Sequence, residues 1–132
     1  MSQENVEIVR AALDALNRED IDAALKDAAP DFVFDFSRSV GTEGGVYKLG
    51  QMRTFWGQLA AEMWESSRFE AEEFIEAGDL VMTPVTNLLR GRDGIEVQAR
   101  GAWVWTFRDG SVARITFYQT RQEALEAAGL RE

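Results

Sequence analysis

The chain has 132 residues, enough for one domain with a substantial core, and its 45% hydrophobic and 28% charged residues are those of a globular chain. A total of 14 Lys and Arg against 23 Asp and Glu gives a net charge of −9 with no local basic block, which argues against nucleic acid as a partner. Histidine and cysteine are both absent, which excludes disulfides, thiolate metal sites and imidazole bases and leaves acid/base chemistry to Asp, Glu, Tyr or a perturbed Lys.

No apolar run approaches the roughly 18 residues of a membrane span, and MSQENVEIVRAAL lacks the basic and apolar regions of a signal peptide. A reducing cytoplasm is therefore the expected setting, with no membrane partner. Residues 3–16 carry Val6, Val9, Leu13 and Leu16 on one stripe, which predicts an amphipathic helix with Ser2 as its N-cap. NRED at 17–20 interrupts that pattern. A short second helix is predicted over 20–28, with Ile21, Ala24, Leu25 and Ala28 on its apolar face and Pro30 as its stop.

FVFDF at 32–36 has strand composition, and SRSVGTEGG at 37–45 reads as a loop. A third helix is predicted over 49–64, faced by Met52, Phe55, Trp56, Leu59 and Met63. From residue 68 the period changes to two. RFEAEEFIE reads as one strand, AGD at 77–79 as a turn, and LVMTPVTNLLRG as the next strand, where Pro84 implies a bulge or an edge. RDG recurs at 92–94 and 108–110 as a hairpin signal. Between the two runs IEVQARGAWVWTF, whose odd positions are largely apolar and whose even positions begin polar. SVARITFYQT returns as a further strand, and QEALEAAG at 122–129 closes as a helix with Gly129 as its stop.

Helices gathered ahead of antiparallel strands predict an α+β architecture, three N-terminal helices packed on one face of a strongly curved antiparallel sheet. No repeat or linker divides the chain, so 1–132 reads as one domain.

The order and spacing of SQENVEIVRAALDALNRED, DIDAALKDAAPDFVFDF, GGVYKLGQMRTFW, EEFIEAGD and GAWVWTFRDGSVARITFYQTRQEAL resemble the nuclear transport factor 2-like superfamily. The branch they resemble is that of the SnoaL-like polyketide cyclases and ketosteroid isomerase-like proteins, over nearly the whole chain. The resemblance implies a cone with a cavity between the helices and the concave sheet. It implies little about function, because this fold carries isomerases, cyclases, hydrolases and plain binding or dimerisation modules. In the isomerases a helix-one tyrosine and a late-strand acid stabilise an oxyanion while a carboxylate moves the proton. Here the first two positions fall on Ala12 and Trp103, which lack those groups. The isomerase base aligns with Phe36, one residue after Asp35 and on the opposite strand face.

Asp35 remains the candidate acid/base. Alternation puts Phe32, Phe34 and Phe36 on one face of its strand and Val33 and Asp35 on the other. In a cavity, desolvation would raise its pKa toward a useful value; at the strand end it would be solvated or paired, with Arg38 as the nearby cation. Trp103 and Trp105 share a face and read as a stacking wall for a flat ring-containing ligand, or simply as core. Trp56 poses the same choice. Tyr47, after GG, reads as a residue at the cavity mouth or as loop packing. Arg114, Thr116 and Tyr118 share one face of the last strand. A symmetric RDGS turn places Arg114 beside Trp105 and Thr116 beside Trp103, whereas a one-residue bulge at Gly110 turns Ile115 and Phe117 inward instead; the sequence leaves both open.

The functional expectation is a SnoaL-like homodimer that binds a small apolar or ring-containing molecule in a hydrophobic cavity, with no cofactor and no metal. If it is catalytic, it acts as an isomerase or cyclase. Asp35 then shuttles a proton beside a carbonyl, Tyr118 steadies the oxyanion, and Trp103, Trp105, Tyr47, Trp56, Arg38, Arg114 and Thr116 line the ligand site. The alternative is a non-catalytic ligand-binding or dimerisation module of the same fold.

Overall fold

The computed structural model describes residues 2–37, 45–58 and 65–129. The elements run α1 (Ser2–Asn17), α2 (Ile21–Ala24), β1 (Ala28–Asp35), β2 (Val46–Lys48) and α3 (Leu49–Gln58). They continue with β3 (Ser66–Ala71), β4 (Ile75–Ala77), β5 (Leu80–Arg90), β6 (Glu96–Arg108), β7 (Ser111–Tyr118) and α4 (Arg121–Ala127). One curled, open sheet is ordered β2-β1-β7-β6-β5-β3, with β4 beside β5. Helix α1 lies across its inner face, and α4 closes against the other side of β5, β6 and β7. This is the predicted α+β cone, except that β1 runs parallel to β7, so the sheet is mixed where an antiparallel one was expected.

Helix α1 follows from its stripe: Val6, Val9, Leu13 and Leu16 all enter the main core. Its last residue also shapes the sheet. The Asn17 amide donates to the Phe69 carbonyl at 2.9 Å and accepts from the Phe69 N–H at 2.7 Å. These are the outward groups of edge strand β3, so one side chain supplies the pairing that a further strand would give and blunts the edge.

Three predicted boundaries differ from the structure. The second helix is one turn, Ile21–Ala24, capped by the Asp20 carboxylate on the Ala23 N–H, because the chain then turns at Leu25 to pair β1 with β7 from Ala28 onward. Pro30 accordingly sits inside β1, in the stretch between Ala28 and Val33 where the register shifts. RFEAEEFIE splits into β3 and β4, and Pro84 of β5 faces the break: β3 pairs from Val85 onward and β4 from Met82 backward. The missing N–H of Pro84 therefore has no partner to disappoint. Strand β2 arises from Val46, Tyr47 and Lys48, which pair with Asp35, Phe34 and Val33. The second half of the predicted third helix, 59–64, lies outside the described residues.

The β6–β7 hairpin decides which side chains meet. Asp109 and Gly110 both have positive φ, 54° and 81°, the backbone of a tight two-residue turn. The first pairs are symmetric about it, Arg108 with Ser111 and Phe107 with Val112. The next pair is Thr106 with Arg114, so Ala113 is an extra residue on β7. This bulge sets Trp105 opposite Ile115 and Trp103 opposite Phe117.

Candidate functional site

The inner face of the sheet carries the aromatic wall. The Trp103 and Trp105 rings stack at 5.9 Å between centroids, and Trp103 meets Phe34 edge-on at 5.4 Å and Phe69 at 5.5 Å. Such pairs add about 0.5–1.5 kcal/mol each beyond area burial. Tyr47, opposite Phe34, is half-buried on the same core. Trp103 and Trp105 are only 5% and 2% exposed, and both belong to the main core.

Beside Trp105 the packing is incomplete. A cavity of about 20 Å³ lies between α1, α2 and the sheet, lined by Ala11, Ala12, Ala24, Phe32, Trp105 and Ile115 among others. That is room for about one water molecule, far below the roughly 300 Å³ at which ordinary ligand pockets begin. Ala11, Ala12, Ala23 and Ala24 contribute only methyl groups to its helical side. Lys26 and Asp27 are the titratable residues on its wall. The buried indole Nε1 of Trp105 finds no hydrogen-bond partner among the described residues. An unpaired buried donor costs about 1–3 kcal/mol.

Asp35 stands on the other face. It is 7% exposed, opposite Thr116 of β7 and Val46 of β2. One carboxylate oxygen accepts from the Ser37 hydroxyl at 2.5 Å and the Ser37 N–H at 3.0 Å; the other accepts from an Arg114 Nη at 2.6 Å. Arg114 also donates through Nε to the Thr116 hydroxyl at 3.2 Å. Burial pushes the carboxyl pKa up, but the Ser37 hydrogen bonds and the Arg114 charge outweigh it, and Asp35 is held below the usual aspartate value. Of the two readings the sequence leaves open, the paired one forms, with Arg114 as the cation, and the carboxyl is held toward its ionised form.

The candidate residues therefore form two groups. Trp103, Trp105 and Tyr47 face the helices, whereas Asp35, Arg114 and Thr116 cluster on the opposite face. Of the two registers open in the sequence, the bulged one forms, with the extra residue at Ala113 instead of Gly110. Tyr118 pairs with Ala102 and packs on the second core, Met82, Val104, Ala124 and Leu125, beneath α4. Arg38 lies outside the described residues. Trp56 belongs to α3. Ser37 was not anticipated as a partner of Asp35, although an aspartate two residues before a serine is the pattern in which a side chain bonds the backbone N–H two positions on. Among the described residues no cluster of three or more carboxylates is placed to hold a metal ion, and no helix is long and apolar enough to cross a membrane.

The SnoaL-like domain model matches residues 9–115. The chain belongs to the SnoaL-like family. Solved structures agree on the nuclear transport factor 2-like fold of this SnoaL-like protein. TerC, co-crystallised with polyporic acid, superposes with a TM-score of 0.78 at 22% identity over 96% of this chain and 98% of that one. RV0760c of Mycobacterium tuberculosis, in complex with estradiol-17β-hemisuccinate, gives 0.76 at 16% identity over 92% and 96%. An LEH-like epoxide hydrolase of M. tuberculosis gives 0.73 at 20% identity over 96% and 90%. At these identities the likeness concerns the fold. No curated protein matches the chain.

Proposed function

We propose that this SnoaL-like protein binds a small, mainly apolar molecule between α1, α2 and the inner sheet face and performs no proton transfer through Asp35. The observation that carries the reading is the alanine-lined gap against Trp105, a largely apolar space between two helices and the sheet. Two structural neighbours were crystallised with organic molecules, polyporic acid in TerC and estradiol-17β-hemisuccinate in RV0760c. The gap admits a larger guest if α2 yields. That helix is a single turn with no buried residue of its own, tied to the body by an exposed Arg53–Asp22 ion pair. An isomerase or cyclase reading through Asp35 and Tyr118 is weakened by the ion pair that holds Asp35 as an anion and by the separation of both residues from the indoles.

Native mass spectrometry and tryptophan-fluorescence titration with a panel of apolar ring compounds test the reading. The expected result is saturable binding that is lost in Ala12→Leu, whose larger side chain fills the gap, and retained in Asp35→Asn. Absence of any saturable binding would refute it, as would a turnover that disappears in Asp35→Asn. The same spectra report whether the expected homodimer forms.

A further inference from the structure

We propose that the edge of β6 from Glu96 to Arg100 is a self-association surface, on which a second copy of this chain pairs antiparallel about a two-fold axis through Gln98. Strand β7 ends at Tyr118, opposite Ala102, and among the described residues no strand adjoins β6 on that side before Ala102. All five residues from Glu96 to Arg100 are exposed, and Ile95 and Val97 are large apolar residues at 61% and 40% exposure. Asn17 blunts the edge of β3, whereas this edge presents bare backbone, a ready template for another strand. None of these residues lines the gap beside Trp105, so the inference stands apart from the binding reading.

The register follows from the backbone. The Gly91 N–H donates to the Ile95 carbonyl at 2.8 Å, so Ile95 turns toward β5. Antiparallel alternation then points the N–H and C=O of Val97 and Ala99 at β5 as well, opposite Leu89 and Asn87, and those of Glu96, Gln98 and Arg100 away from it. Pro84 agrees, since it stands opposite Ala102, where no N–H is needed toward β6. A second copy can bond these three residues only with its own outward-facing three. Centring the pair on Gln98 uses all of them: Gln98 meets Gln98, and Glu96 meets Arg100 at both ends, opposite charges directly across. A centre on Glu96 or Arg100 sets like charges against each other, and a centre on Val97 or Ala99 pairs neither charge with its opposite. On the other face Val97 comes beside Ala99 of the second copy and Ile95 beside its Gly101, which takes exposed apolar surface out of water. The interface is small, below the roughly 1,200 Å² of a standard complex, and so makes a weak, concentration-dependent dimer.

Sedimentation equilibrium of the full chain from about 10 µM to about 1 mM, at about 0.15 M salt, tests the proposal. The expected result is a monomer–dimer equilibrium with a dissociation constant on the order of 100 µM. Arg100→Glu sets two carboxylates opposite each other at both ends and should weaken association at least about tenfold. Exchanging the charges, Glu96→Arg with Arg100→Glu, should restore it to within about threefold of the original. Gln98→Pro should abolish it, and because the Gln98 N–H faces away from β5 the protein's own sheet keeps its bonds. If Gln98→Pro does not fold, the two exposed charge variants carry the test. A monomer at every concentration would overturn the proposal. So would a dimer indifferent to Arg100→Glu, which would place association on another surface, or a weakened dimer that the charge exchange does not restore.

Discussion

Replacing Arg114 by Met keeps an aliphatic stem of similar reach and removes the cation that faces Asp35. Arg114 contributes one short charge-assisted bond, 2.6 Å to the carboxylate, and its side chain is 44% exposed while that of Asp35 is 10% exposed. A hydrogen bond to a charged group is worth about 1.5–3 kcal/mol, and solvent screening of the half-exposed partner brings the expected loss to about 1–2 kcal/mol near neutral pH. The pH dependence has a definite sign. The folded pKa of Asp35 is depressed, so its contribution is present above the unfolded value of about 3.9 and disappears as pH falls through the folded value. In Arg114→Met the carboxyl pKa rises, because burial remains and only the Ser37 bonds oppose it. Urea denaturation of both proteins should therefore show a stability gap at neutral pH that narrows as the pH falls through the folded Asp35 value. Asp31, the other aspartate held below the usual value, keeps its Arg108 partner in both proteins. A gap that persists unchanged into acid, or no gap at neutral pH, would show that the ion pair does not hold Asp35 ionised.

Gly101→Ala should cost about 1–3 kcal/mol by overpacking, since a Cβ there lies 2.4 Å and 2.7 Å from two ring carbons of Phe117; thermal melts read the loss, and Phe117→Leu in the same chain should restore part of it. Asn17→Ala should cost about 1–3 kcal/mol by unpairing the Phe69 N–H and carbonyl, and the uncovered β3 edge should raise light scattering on heating.

Much of the architecture was readable because its signals are local. The stripe Val6–Val9–Leu13–Leu16 has one helical solution that buries it, and Trp103, Trp105 and Phe107 share the face that enters the core, although Ile95 and Val97 at the start of that alternation are exposed. Asp109-Gly110 announces its turn through the two residues that best tolerate positive φ. The errors fall where a partner distant in sequence overrides a local preference. Residues 25–28 read as the end of a helix until β7 lies alongside to pair with Ala28. The break between β3 and β4 is set by Pro84 of the neighbouring strand, and β2 exists because β1 offers it an edge. Asn17 looked like a helix end and is also a mimic of sheet pairing, a role visible only once Phe69 stands beside it.

The candidate site was harder to read than the fold because its membership turns on one residue. Chemistry alone grouped Asp35, Arg114, Thr116 and Tyr118 with the indoles, and a turn without an extra residue would have brought the three β7 residues there. Ala113 shifts the register by one, and on a strand one residue exchanges the faces. Energetics favours the bulge. The symmetric register would carry the Arg114 guanidinium and Thr116 into a core of Trp, Phe and Leu while turning Ile115 outward, forfeiting about 1.5–3 kcal/mol for that side chain alone and stranding a buried charge. The bulge keeps Ile115 and Phe117 against the indoles and leaves Arg114 half in water, where it can neutralise Asp35. The same choice that completes the core thus brings Arg114 to the carboxylate, which alternation with Phe32 and Phe34 on β1 already turns away from it.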